Sequence, residues 1–81
     1  MQITHLQSCR HDRNGQIVSG RSTWNDGEEM TVKYCYPDKN GRTARTSPEI
    51  SGPILLELLE VALSQGVVGV KDVAAVLHKA L

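Results

Sequence analysis

Apolar and polar residues alternate along the first half of this chain, while in the second half apolar residues recur every three or four positions. The alternation is clearest over residues 30–36, where Met30, Val32, Tyr34 and Tyr36 share one face and Thr31, Lys33 and Cys35 the other. A period of two is that of a half-buried strand, and by parity the Met/Val/Tyr face is the one expected to meet the core. In the preceding segment Val18, Gly20, Ser22 and Trp24 share a face, and near the start Ile3 and Leu6 have opposite parity. Three turn signals, Asp12-Arg13-Asn14-Gly15, Asn25-Asp26-Gly27 and Asp38-Lys39-Asn40-Gly41, separate these segments. They predict strands near 2–10, 16–24, 28–36 and 42–46, and connections this short make antiparallel neighbours. The fourth segment carries Arg42 and Arg45 among small polar residues, as suits an edge strand guarded against edge-to-edge pairing.

Two of the turns are copies of one run. Cys9 to Gly15 reads CRHDRNG and Cys35 to Gly41 reads CYPDKNG. In each, Asp can bond its own backbone, and Asn-Gly tolerates the positive φ that closes a bulged turn. The repeat therefore speaks for a meander, and it places Arg13 and Lys39 in two turns at one end of the sheet.

After Ser47-Pro48-Glu49 the pattern becomes helical. Ser51-Gly52-Pro53 suits a helix start. From Ile54 to Gln65 the polar positions Glu57, Glu60 and Ser64 form one narrow stripe, leaving an apolar circumference wider than one sheet face can cover. Gly66 supplies the stop. A second, ordinary amphipathic helix runs from about Val70 to Ala80. The expected fold is α+β, ββββαα: a four-stranded antiparallel β-meander followed by two α-helices packed on one face. It forms a single domain over 1–81, with the meander in 1–46 and the helical pair in 51–81, and the first helix lies between the sheet and either the second helix or another subunit. The surplus apolar helix surface points to a homodimer, with Leu56, Leu59 and Leu63 as its contacts.

Bulk properties narrow the chemistry. Nine basic residues balance nine acidic ones, which removes the strong positive field of a dedicated nucleic-acid binder. Residues 1–48 hold seven bases and five acids, and residues 49–81 two and four. The charge asymmetry of +2 against −2 names no partner. A domain this small buries only about 60% of its unfolded surface, so further burial against a partner or a second copy would help it. The start of the chain has no basic, apolar leader, and Glu57, Glu60 and Lys71 break the apolar runs before they reach a membrane span. The expectation is a cytoplasmic protein with reduced thiols.

Candidate sites are weak. Cys9 and Cys35 belong to strands one and three, about 9–10 Å apart across strand two, which is too far for a disulfide. His5, Cys9, His11 and Cys35 lack the close ligand pair of a structural zinc site. Cys9, His11 and Asp12 supply the residue types of a nucleophilic triad, but successive strand residues point to opposite faces. His78 and Asp72 lie on the solvated side of the last helix. Asp38, Asn40 and Glu49 match positions 1, 3 and 12 of an EF-hand loop, yet Arg42 and Thr43 replace the fifth ligand and the glycine. No phosphate-binding glycine motif occurs. No enzyme, cofactor or metal is expected.

Two function classes are left. The leading one is a small non-enzymatic adaptor, inhibitor or regulator that binds another protein, of a size that also suits an accessory protein of a phage or mobile element. Its partner contacts would come from Trp24, Arg42 and Arg45 at the sheet, with Arg13 and Lys39 on the turn rim, since Trp and Arg are enriched at binding hot spots. The alternative is a nucleic-acid binder. It would use Arg10, Arg13, Arg21, Arg42 and Arg45 with Trp24, Tyr34 and Tyr36, or a helix-turn-helix around Ala62, Gly66 and Val73. The aromatic residues share parity with Met30 and Val32, so a core role for them is the simpler expectation.

Overall fold

The computed structural model describes residues 1–37, 39–40 and 47–81. Its elements are β1 (Gln2–Ser8), β2 (Gln16–Arg21), β3 (Met30–Cys35), β4 (Ile50–Ser51), α1 (Gly52–Ser64) and α2 (Val70–Ala80). The strands form one antiparallel sheet in the order β1-β2-β3-β4, so the expected ββββαα arrangement is present. The expected strand at 42–46, with Arg42 and Arg45, lies outside the described residues. The fourth described strand is Ile50–Ser51, which pairs Ile50 with Val32 and Ser51 with Thr31 and leads directly into α1.

The turns follow from their side chains. Asp12 Oδ1 accepts the Asn14 N–H at 3.1 Å, the Gly15 N–H closes on the Asp12 carbonyl, and the Cys9 N–H on the Gly15 carbonyl. This turn needs no left-handed residue, contrary to the expectation for Asn14-Gly15. The left-handed backbone sits instead at the second turn, where Asn25, Asp26 and Gly27 all have positive φ. Asn and Asp adopt that region more readily than other side chains do.

Both helices keep to their sequence signals. Gly66 has φ +73°. The Val67 N–H bonds to the Ala62 carbonyl and the Gly66 N–H to the Leu63 carbonyl, the paired bonds of a Schellman stop. Nothing lies within 4 Å of a Cβ placed on Gly66, so Gly66→Ala adds backbone strain alone. That strain is expected to cost about 1 kcal/mol, read as a fall in melting temperature of about 4–8 °C. At the start of α2 the Gly69 N–H donates to Asp72 Oδ2 at 3.3 Å. Asp72 in the first turn and His78 and Lys79 in the last both complement the helix dipole.

Register decides which sheet face is covered. Ile3, Gly20 and Thr31 lie across from one another, as do Leu6, Val18 and Lys33, and Ser8, Gln16 and Cys35. This face holds the buried residues: Val18, only 1% exposed, with Cys35, Thr31 and Gly20. The opposite face carries Met30 (54% exposed), Tyr34 and Tyr36, all open to solvent. Parity separates the two faces correctly but misassigns the core. The buried face is the one with small residues, over which chain can close tightly, as β1 does over Gly20. Among the described residues no element covers the Met30, Tyr34 and Tyr36 side of the bulky face, although Ile17 and Val32 on it are half-buried; neither helix holds a fully buried residue, and α1 meets the sheet chiefly at β4. Thus α1 is not enclosed between the sheet and α2.

Candidate interaction surface

The chain is extended for its size. Its radius of gyration is 14.0 Å, against about 12 Å for a compact domain of this length. Its accessible surface is 6770 Å², against about 4800 Å² for a compact chain of this mass.

Much of α1 belongs to that exposed surface. Ile54, Leu58 and Val61 fall at i, i+4 and i+7 in one row, each about half exposed (50%, 49% and 54%), and with Glu57 they line a shallow open hollow of about 270 Å³. Leu59, Ala62 and Leu63 are half-buried. Leu59 joins Val68, Asp72, Val73, Val76 and Leu77 in lining an open groove of about 300 Å³ between the helices. Asp72 supplies the groove's charged group, and its carboxylate already caps Gly69. Among the described residues two open, largely apolar hollows therefore lie on α1, the larger shared with α2.

A second surface is aromatic. The Tyr34 and Tyr36 rings lie 5.3 Å apart at 43° on the uncovered sheet face. The Tyr34 hydroxyl donates to Asp12 Oδ2, tying β3 to the first turn. That bond is the main cause of a lowered Asp12 pKa, and it pushes Tyr34 up to about 12. At neutral pH the carboxylate stays ionised and the phenol protonated, so the pair acts as a tie and is poorly poised for proton transfer.

Glu49 anchors the chain entering β4. Its carboxylate accepts the Thr23 hydroxyl at 2.7 Å and the Thr23 N–H at 3.0 Å, and it lies 3.0 Å from the Met1 amine. Partial burial is the largest single influence and raises its pKa. The Thr23 bonds and the amine together outweigh it, lowering the group from 4.5 to about 2. A depressed carboxyl stabilises the fold fully above its unfolded value and loses that contribution as pH falls through the folded one. Melting temperature should therefore fall between about pH 4.5 and pH 2. Glu49→Gln should lose about 1.5–3 kcal/mol at neutral pH, the range for hydrogen bonds to a charged group, and flatten that slope in a calorimetric pH series.

The residues singled out from sequence do not form one patch. Arg13 in the β1–β2 turn and Lys39 beyond β3 are exposed, and the pairing of Ser8, Gln16 and Cys35 puts both at the same end of the sheet. Trp24 lies at the other end, its indole N–H donating to Glu29 Oε2 at 2.5 Å. Arg42 and Arg45 are outside the described residues. Of the three leucines, Leu59 lines the groove, Leu63 is half-buried and Leu56 is exposed. Leu56 sits two positions from Leu58, on a different side of the helix from the Ile54/Leu58/Val61 row. Ile54, Leu58 and Val61 were not distinguishable in the sequence, where apolar residues surround most of α1. Cys9 and Cys35 are free thiols. Among the described residues no three His, Cys, Asp or Glu side chains are grouped to hold a metal, and no helix is long and apolar enough to cross a membrane. No protein-family model, no curated protein and no solved structure matches this chain.

Proposed function

We propose that this chain is a small non-enzymatic interaction protein, an adaptor, inhibitor or regulator, which acts by binding protein and does so as a homodimer joined through its helical hairpin. What carries the reading is that α1, apolar over most of its circumference, buries no residue within its own chain. Contiguous exposed apolar surface of this kind marks an interaction site in a folded protein. The Arg13 and Lys39 rim and Trp24 are then left for a partner protein on the sheet, at sites separate from the hairpin. Sedimentation velocity tests the dimer: two copies per particle at tens of micromolar are expected, and a strict monomer would remove the homodimer from the reading.

The uncovered aromatic face favours a second reading, single-stranded nucleic acid stacked on Tyr34 and Tyr36. Against it stands the Asp12 carboxylate bonded to Tyr34, which would repel phosphate. Fluorescence anisotropy with mixed DNA and RNA oligonucleotides at low salt separates the two: micromolar binding lost in Tyr36→Ala would favour nucleic acid.

A further inference from the structure

Resting on the reading above that this chain binds another protein, we propose where it does so: an extended segment of the partner, running antiparallel to β1, adds to the sheet as a further strand along the open edge of β1.

Hydrogen-bond direction defines that edge. Strand β1 is the terminal strand of the described sheet, and all seven of its residues are exposed. The Cys9 N–H bonds to the Gly15 carbonyl. By alternation Gln7 and His5, paired with Ile17 and Ser19, turn their backbone groups towards β2. The Ser22 N–H bonds to the Glu29 carbonyl, which turns Gly20, Val18 and Gln16 towards β3 and leaves Ser19 and Ile17 for β1. The two bonds agree, so the backbone groups of Leu6 and Ser8 point away from the sheet. Such a row is matched by the backbone of another strand. Sheet edges are ordinarily guarded by charge or proline, yet Gln2–Ser8 holds no Asp, Glu, Lys, Arg or Pro. Its one irregularity is the slip between Ile3 and His5, which leaves residues 5–8 regular.

Side chains specify the strand. The slip brings Ile3 and Leu6, of opposite parity, onto one face, opposite Gly20 and Val18. Val18 is buried there, but Ile3 and Leu6 are 53% and 51% exposed, so this face reaches the edge unfinished. A strand with an apolar residue opposite Leu6 continues it. On the other face His5 and Gln7 bond to each other at 2.9 Å and suit polar neighbours. Beyond Ser8 lie Arg10 and Arg13, both exposed, which favour an acidic residue at the leading end of an antiparallel segment. A second copy of β1 fits worse. It carries no acid, and the antiparallel register that pairs both Leu6 and Ser8 within the regular stretch sets each Leu6 against a Ser8.

The capped peptide acetyl-Glu-Val-Thr-Val-Thr-amide is the probe, its two valines opposite Ser8 and Leu6 and its glutamate at the Arg10 end. At millimolar peptide, amide exchange at Leu6 and Ser8 should slow tenfold or more, while His5 and Gln7, already bonded within the sheet, change little. Methylating the two valine nitrogens removes the N–H groups that face β1 and should abolish this protection. Methylating the two threonine nitrogens, which face away, should leave it. Ser8→Pro removes an outward N–H that β2 does not use, so the variant should melt close to wild type and bind no peptide, whereas Ser8→Ala should bind normally. Leu58→Glu should also bind normally, because α1 meets the sheet chiefly at β4, the opposite edge. A monomeric wild type that still gains protection at Leu6 and Ser8 would keep the edge site and remove only the homodimer. No protection at Leu6 and Ser8, or equal protection by both methylated peptides, would overturn strand addition and leave the hairpin reading standing. A Leu58→Glu protein that still self-associates, and is made monomeric by adding Ser8→Pro, would overturn the partner segment and assign the edge to a second copy.

Discussion

Replacing Gly20 with valine is expected to unseat β1 and to be the most damaging single change in the sheet. Gly20 is buried near the end of β2, opposite Ile3, where the β1–β2 register slips between Ile3 and His5. A Cβ at this position would lie against the Gln2 carbonyl oxygen, 2.8 Å from the Gln2 carbonyl carbon and 2.9 Å from the Ile3 Cα. All three are backbone atoms, so no rotamer change makes room. The chain must open the β1–β2 ladder or bend β2 away from Thr31, whose hydroxyl donates to the Gly20 carbonyl at 3.3 Å. Overpacking of this kind costs about 2–3 kcal/mol. For a domain of this length that is a fall of about 10–20 °C in melting temperature. Amide exchange should locate the damage, with β1 losing protection before β3. Gly52→Ala is the control: nothing lies within 4 Å of its Cβ, and it should leave the melt unchanged. Equal losses at both positions would refute the close approach as the cause.

Leu58→Glu is expected to produce a folded monomer. Leu58 is 49% exposed in the single chain, so the carboxylate that replaces it reaches water in the monomer and costs the fold little. Across an interface it would be desolvated in the middle of the Ile54/Leu58/Val61 row. Truncating a central apolar anchor typically costs 2 kcal/mol or more, and an unpaired buried charge adds to this, so dimer affinity should fall about 100-fold or more. Light scattering over a concentration series reads the shift, and an unchanged thermal melt of dilute protein confirms that the monomer is folded. Leu56→Glu, on a different side of α1, should leave the dimer intact. If instead Leu56→Glu dissociates the dimer and Leu58→Glu does not, the interface uses another side of the helix.

These outcomes bear differently on sequence and structure. Gly66 and Gly69 lie between two helices whose bounds, 52–64 and 70–80, follow closely from helical periodicity and stop chemistry. The separation of Cys9 from Cys35 likewise follows from a meander, and both are free thiols. The Ile54/Leu58/Val61 row is different. Eight apolar residues between Ile54 and Leu63 leave only the Glu57/Glu60/Ser64 stripe as a marker, and that stripe says where water is without saying which apolar side α2 takes.

Local pattern was enough for the kind of each element, for the antiparallel order of the strands and for the places where helices start and stop. These depend on interactions within a few residues: side-chain alternation, Asx bonding at Asp12, the left-handed backbone of Gly66. Tertiary structure alone decided that Val18, Thr31 and Cys35 are inside while Met30 and Tyr34 are outside, that Ile50–Ser51 pairs with β3, and that the hairpin stands open. A period of two distinguishes two faces of a strand but carries no information on which face another segment will cover. That choice turned on long-range contacts, β1 closing over a glycine and a serine-threonine-cysteine face small enough to be covered, while the larger side chains stayed in water.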